Sequence, residues 1–393
     1  MSSPNPRTYR QSLGFLQLVW LGVGGTIGSG IFVVPGVAAQ LAGDSSLIAW
    51  LVVAVTAGAV AYALGSLLGR TSDGDAQMGR SFIGLFSRAL GDRVAALLVL
   101  SYVGGSILGG ATIAAGLGQY LSFFGVSHIA AIEALIVASM LALNLRGMAP
   151  SGAMESVLSV AKIAGILAIV ALLLPLAHSH AIVPTSVAPL PTLLQVIIIV
   201  FWPFTGFEIS AIPAAETRNP RAVAPALLTV MVLVCVIYLG LNLALLGAVG
   251  APALAASSAP AADAVGMVLP GAAPWVAVLA IVTMLSALNA YIIGASRSLQ
   301  EVLVRHVPAH LARLSTRGVP TLALLVTCLG AAAMLGFTNH FSDLAALSVV
   351  MTLVPYVALC WAAFTGGRNR IDKAVALFGG VATTAILVLY FAL

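Results

Sequence analysis

Apolar residues fill this chain in long runs, interrupted by short polar connectors rich in Gly, Pro, Asn and Asp. Runs of about 18 or more apolar residues read as helices that cross a bilayer. The pattern predicts eleven such spans, near 13–41, 47–69, 94–121, 129–146, 156–176, 192–215, 226–250, 273–304, 319–337, 344–364 and 374–393. Breakers mark the connectors: Gly43-Asp44-Ser45, Ala149-Pro150-Ser151-Gly152, Asn219-Pro220, Gly318-Val319-Pro320 and Gly366-Gly367. The longest polar connector, 70–93, predicts a short amphipathic helix lying at the interface. Arg7 and Arg10 precede a first run too long for a signal peptide, and it lacks a cleavage site.

Composition closes off the soluble alternatives. Of 393 residues, 61% are hydrophobic and 7% charged, against roughly 25% charged in a soluble protein. Too little polar surface remains to coat a globule in water, so the chain reads as one transmembrane domain whose partner is the lipid bilayer. Of the 17 Lys and Arg, all but Lys162 fall on one side of the predicted topology. By the positive-inside rule that side is cytoplasmic, with the N-terminus inside and the C-terminus outside. The net charge of +5 is therefore a topology signal and gives no support to nucleic-acid binding. Cys235, Cys328 and Cys360 stand alone in apolar runs, without disulfide or metal spacing. His178-Ser179-His180 reads as a solvated loop, short of the further ligands a metal needs. No metal or other cofactor is expected.

The first span contains GVGGTIGSGIFVVPG, Gly22 to Gly36, in which six of fifteen residues are glycine. Each glycine weakens a helix interior by about 1 kcal/mol relative to alanine. Gly24 and Gly28 could form a GxxxG packing face, and Gly105/Gly109 in the third span fit that role. Packing leaves Gly28-Ser29-Gly30 and Pro35 unexplained. A dinucleotide fingerprint fails because Ile27 stands where its third Gly belongs and no strand precedes it. The remaining reading is a helix broken near mid-membrane, where irregular backbone is tolerated only when buried in protein or lining a cavity. The sixth span is interrupted too, by Pro203 and Gly206 in Phe201-Trp-Pro-Phe-Thr-Gly-Phe-Glu208. Spans 1 and 6 correspond if 13–176 and 192–364 are two inverted five-helix repeats, followed by an extra helix at 374–393. Paired broken helices in inverted halves point to a transporter's central site.

The break also names a ligand class. The half-helix starting near Gly30 turns its amides and positive dipole end towards the gap, which suits a carboxylate. The carbonyls ending the first half of span 6, around Trp202–Phe204, suit an ammonium. A small zwitterion, an α-amino acid, satisfies both.

At these residues the chain resembles the amino acid–polyamine–organocation (APC) superfamily. Gly28-Ser-Gly-Ile-Phe32 is similar to its span 1 signature. Phe204-Thr-Gly-Phe-Glu208 with Glu216-Thr-Arg-Asn-Pro-Arg221 is similar to its span 6 pattern. Leu288-Asn-Ala-Tyr-Ile-Ile-Gly-Ala-Ser-Arg297 with Arg317-Gly-Val-Pro320 resembles span 8 and the loop after it. Gly43-Asp-Ser-Ser-Leu-Ile-Ala-Trp50 and Phe201-Trp202 look most like bacterial transporters of neutral amino acids, methionine and branched-chain exporters among them. The resemblance implies an all-α polytopic protein of the leucine-transporter-type fold, with substrate between spans 1, 3, 6 and 8. Two features depart from it: many members have twelve spans, and their Pro-x-x-Gly-Gly after span 2 is here Ser72-Asp-Gly-Asp-Ala-Gln77. The missing helix leaves the oligomeric state open.

Lys162, deep in span 5, costs about 2.5–3.5 kcal/mol to insert and lies too far from the helix end to snorkel comfortably. The resemblance places it where sodium-coupled cousins hold an ion beside the broken span 1. Burial disfavours its charged form, so one reading has it carry the coupling proton. In the other it stays charged and replaces the sodium. Glu208 resembles a family glutamate of gating and proton sensitivity, with interhelical packing as the plain alternative. Glu133, near the outer end of span 4, reads as structural or interfacial.

Together these residues imply an amino acid carrier of the cytoplasmic membrane working by alternating access, coupled to protons or exchanging substrates. Thr26, Ile27, Gly28, Ser29, Gly30, Trp202, Phe204, Thr205, Gly206 and Phe207 would bind substrate, with Trp202 and Tyr291 beside its side chain. Lys162 and Glu208 would couple and gate. Apart from Glu208 no acid could meet a cationic side chain and no second base awaits an acidic one, so a neutral aliphatic substrate is expected. A cationic amino acid or polyamine exchanger is the alternative. A channel would need rings of polar residues along a pore, and an intramembrane protease a Ser/His or paired-Asp constellation. The spans offer neither, so no enzyme is expected.

Overall fold

The computed structural model describes residues 14–69, 82–147, 152–177, 187–210, 217, 219–367 and 369–392. Its regular structure is helical. In chain order the helices are α1 (Phe15–Thr26), α2 (Gly30–Ala42), α3 (Ser46–Leu68), α4 (Phe82–Leu90), α5 (Asp92–Ser122), α6 (Ile129–Leu145) and α7 (Gly152–Leu173). They continue with α8 (Leu190–Phe204), α9 (Val223–Ala255), α10 (Pro260–Val268), α11 (Ala273–His306), α12 (Thr321–Phe337), α13 (Phe341–Gly366) and α14 (Arg370–Ala392). Eight apolar stretches are long enough to cross a membrane, and one of them, Phe15–Leu68, holds two predicted spans. The shorter α6 and α12 add two more, each 17 residues, roughly 26 Å at 1.5 Å per residue. Nine plus two recovers the eleven spans read from hydropathy. Side chains such as Leu97, Leu135, Val236 and Leu329 project from the outer helix faces with more than half their surface exposed, an arrangement stable against lipid and costly in water.

Contacts between helix ends sort the turns onto two faces. At one, the end of α2 (Leu41) and the start of α8 (Pro191) line a cavity of about 450 Å³, together with the start of α13 (Ser342) and the end of α14 (Tyr390). At the other, Tyr62 of α3 donates to Asp372 at the start of α14 (2.9 Å). There, too, Arg305 at the end of α11 meets Asp92 at the start of α5 (3.5 Å). Arg88, Arg93, Arg146, Arg317 and Lys373 lie in segments of this second face, whereas Asp44, Asp263 and Asp343 lie in segments of the first.

Two elements depart from the expected pattern. α9 runs on to Ala255, kinked where Gly250 takes φ 79° and Pro252 withholds its amide. A further helix, α10, occupies the stretch read as a loop, buried through Ala261, Ala262, Ala264 and Val265. The amphipathic helix expected in 70–93 is present as α4, while 70–81, His178–His180 and 211–216 lie outside the described residues.

α5 is the central post, packed along α11 and α13; α3 pairs with α9 and also meets α13 and α14, and α1 lies against α7 and α9. Small residues allow these approaches. A Cβ on Gly105 would come within 2.5 Å of Thr352 Oγ1 on α13, and Ser348 donates to the Gly105 carbonyl at 2.7 Å. Glu133 is buried against Gly118 of α5, with Oε2 lacking a hydrogen-bond partner. A Cβ on Gly247 of α9 would lie 2.5 Å from the Ala177 carbonyl oxygen and 2.6 Å from its Cα. Backbone cannot step aside cheaply, so Gly247→Ala should cost about 1–3 kcal/mol by overpacking. Thermal unfolding of detergent-purified protein should show a lowered Tm, and an unchanged Tm would refute this packing.

Candidate functional site

The first span is interrupted over three residues. α1 closes at Thr26, Ile27 turns extended (φ −81°, ψ 97°) and α2 starts at Gly30, with Pro35 inside α2 and continuous with it. The sixth span is interrupted at a matching depth. α8 ends at Phe204, Thr205 is extended (φ −77°, ψ 163°) and Gly206 takes φ 92° before a short 3-10 turn, Phe207–Ser210. Only glycine adopts that φ at no steric cost, and space forbids a larger residue as well. A Cβ on Gly206 would lie 2.8 Å from the Gly25 carbonyl oxygen. The two interruptions cross at Gly30, where a Cβ would stand 2.5 Å from Pro203 Cβ and 2.7 Å from Pro203 Cα. The glycines therefore free the backbone to bend and also let two broken helices touch.

On the α2 side the first amides, those of Gly30 and Ile31, lie ahead of the first intrahelical bonds. Ser29 accepts Phe32 and Val33 amides at its carbonyl (3.1 and 3.0 Å). Its hydroxyl is fully buried and has no partner. Gly116 of α5 makes room for it, since a Cβ there would come within 2.8 Å of Ser29 Cβ. A hydroxyl, two amides and a positive dipole end form an anion seat.

On the α8 side one of the expected carbonyls is already engaged. The Trp202 carbonyl already accepts the Thr205 amide (3.1 Å) and the Thr205 hydroxyl (2.7 Å), which uses both its lone pairs. The neighbouring carbonyls at the end of α8 are those of Pro203 and Phe204. Because the Thr205 proton is committed, Tyr291 is the donor in the 2.9 Å contact between their hydroxyls. Trp202 and Tyr291 lie ring to ring at 5.6 Å. Both press on Gly109, where a Cβ would be 2.8 Å from either ring. Gly109 thus makes room for these two rings. The buried Trp202 Nε1 has no acceptor.

Polar side chains hold the carbonyls of the broken span. Lys162, ten residues into α7 and 1% exposed, donates from Nζ to Gly24 O at 3.0 Å. Ser159, one turn earlier, donates to Trp20 O at 2.8 Å. The i, i+3 step on α7 thus meets the i, i+4 step on α1. Tyr238 of α9 donates to Thr26 O at 2.9 Å and packs on Phe204 at 5.2 Å, tying one interruption to the other. Glu208, also buried, accepts the Gly206 amide (3.1 Å) and the Tyr356 hydroxyl (2.7 Å). Tyr102 of α5 hydrogen-bonds it as well, and Phe207 stacks near Tyr356 at 5.5 Å.

Tyr102, Tyr238, Tyr356 and Ser159 were not among the residues singled out from sequence. Their signal is a hydroxyl inside an apolar run, which is common in spans and gains meaning only when a partner across the bundle is known. Among the described residues no group of His, Cys, Asp and Glu could hold a metal ion.

A polytopic helical membrane protein with two interrupted helices crossing at a buried polar centre is the class this architecture defines. The model of the amino acid permease family matches residues 13–393, and the chain belongs to that family of amino acid transporters. It is 30% identical to an L-methionine/branched-chain amino acid exporter of Escherichia coli, over 80% of this chain and 75% of that one. It is 28% identical to an aromatic amino acid permease of Lactococcus lactis, over 82% and 76%. To a chloroplastic cationic amino acid transporter of Arabidopsis thaliana it is 26% identical, over 64% and 48%.

Gly30→Ala should part α2 from Pro203 without unwinding either helix. Transport should fall at least tenfold, about 1.4 kcal/mol, while far-UV circular dichroism stays unchanged. Retained transport would show that the crossing is not needed.

Proposed function

We propose that the chain is a secondary carrier of a neutral, aliphatic amino acid across the bacterial cytoplasmic membrane, working by alternating access. The observation that carries this reading is the pairing of the two interruptions. Ser29 and the first amides of α2 offer donors to a carboxylate, and the Pro203 and Phe204 carbonyls beside them offer acceptors to an ammonium. In this reading 13–176 and 192–364 act as inverted repeats around that point. The face rich in Arg is cytoplasmic, which puts the N-terminus inside and the C-terminus outside.

Side-chain selectivity follows from what is already engaged. Among the described residues Glu208 is the acid near the crossing, and three donors occupy it, so it is poorly placed to receive a cationic side chain. Trp202, Tyr291 and Gly109 leave an apolar wall, which suits an uncharged one. This favours the neutral reading over the cationic or polyamine exchanger.

Lys162 supports a carrier driven by protons or by exchange. Its ammonium sits on a carbonyl in the last turn of α1, the negative end of that half-helix, where a coordinated metal cation would otherwise neutralise the dipole. A permanently charged Lys162 is thus a structural stand-in for such an ion. Lys162→Ala should leave the Gly24 carbonyl unsatisfied and lower transport at least tenfold at both pH 5.5 and pH 7.5. A mutant that keeps its rate but loses the wild-type pH response would instead make Lys162 the proton carrier.

Counterflow in proteoliposomes tests the whole reading. Vesicles loaded with one unlabelled aliphatic amino acid should accumulate a labelled one saturably, without single-channel current. Ser29→Ala should raise KM about tenfold, the loss of one hydrogen bond to a charged group, with little change in the maximal rate. Exchange driven by lysine, arginine or polyamines alone would overturn the neutral assignment, and no exchange with any of them would overturn the carrier.

A further inference from the structure

Tyr120 lies near the end of α5, one turn past the Gly116 that abuts Ser29, and is fully buried. Its hydroxyl donates to the Phe32 carbonyl of α2 at 3.0 Å and accepts the backbone amide of Ala261 in the first turn of α10. One oxygen thereby joins three elements: the central post, the second half of the interrupted first span, and the helix that the sequence pattern did not foretell. The Phe32 ring meets the Tyr120 ring edge-on at 6.1 Å.

α10 is seated as a unit. Pro260 rests on Gly36 of α2, where a Cβ would come within 2.5 Å of the proline ring and 3.0 Å of the Leu254 carbonyl oxygen. Ser257 hydrogen-bonds the Asp263 carboxylate and accepts the Ala259 amide at 3.0 Å, fixing the first turn. The amide of Ala261 is one of the donors that a helix N-terminus cannot satisfy internally, so Tyr120 supplies a partner that α10 lacks on its own.

We propose that Tyr120 is a positioning residue, a latch that holds α2 and α10 closed against α5 over the outer side of the site. Both of its bonds go to backbone atoms, so the latch reads where α2 and α10 are and not which side chains they carry. Separating α2 from α5 strips this bond from the Phe32 carbonyl, and separating α10 strips it from the Ala261 amide, which must then find water. The closed arrangement is therefore favoured while the region is dry, and its advantage fades once water enters. Losing both hydrogen bonds shifts the closed-to-open ratio roughly tenfold or more. The consequence for transport rests on the carrier reading, whereas the latch itself does not.

Tyr120→Phe keeps the ring and removes the hydroxyl. Hydrogen exchange of the full-length protein in lipid nanodiscs should show amides of α10 and of α2 exchanging at least fivefold faster, with α6 and α12 unchanged. Unchanged exchange in α10 and α2 would overturn the latch, and so would an equal rise in every helix, which marks general loosening. Gly36→Ala, which presses on Pro260 and leaves Tyr120 intact, should raise exchange in α10 in the same way. In counterflow, Tyr120→Phe should lower KM for an amino acid offered from the outer side more than for one offered from the inner side. Faster α10 exchange without any amino acid counterflow would keep the latch and reject the carrier; counterflow with unchanged exchange would do the reverse.

Discussion

Everything here depends on how a backbone is satisfied when it leaves the helix inside a membrane. An unpaired carbonyl or amide in hydrocarbon costs several kcal/mol, so an interruption is viable only if other groups meet what it frees. Along the first span, carbonyls freed at the break and others already in the helix ladder receive side chains from four directions. Ser159 takes Trp20, Thr26 returns to Gly22, Lys162 takes Gly24, Tyr238 takes Thr26 and Tyr120 takes Phe32. The span is thus held by side chains of α5, α7 and α9 as much as by its own ladder. At the second half's N-terminus the Ser29 hydroxyl is buried and has no partner.

The sixth span solves the same problem with acids and hydroxyls. Glu208 folds back on the Gly206 amide while Tyr356 and Tyr102 reach it from α13 and α5. Thr205 closes on Trp202 and receives Tyr291. A carboxylate placed in this way ties the bundle holding the interruptions to the helices standing behind them. Motion of one relative to the other must therefore rearrange these bonds.

Much of this was legible in the residues. The spans follow from apolar runs because lipid admits little else, and the sorting of Arg onto one set of turns follows from the same constraint. The interruption at Gly28-Ser29-Gly30 and its counterpart at Pro203–Gly206 could be read because glycine and proline have local conformational consequences. Lys162 stood out because a charge in a span is expensive wherever it points.

Partnership was not legible, since it depends on which helices lie side by side. Nothing local distinguishes Tyr238 from any other tyrosine in a span, and Gly109 looks like half of a packing motif until Trp202 and Tyr291 are seen against it. The Trp202 carbonyl looked available because the hydroxyl that claims it folds back only in the bent conformation. α10 was missed for a related reason. Nine residues of mixed character form a stable helix only when a neighbour covers one face, and α2 and α11 provide that cover. The sequence alone determined where the chain crosses lipid and where it breaks, because both are set within a few residues by solvation and backbone freedom. The tertiary structure decided which breaks meet and which groups serve them, because hydrogen bonds across a bundle belong to no single stretch of chain.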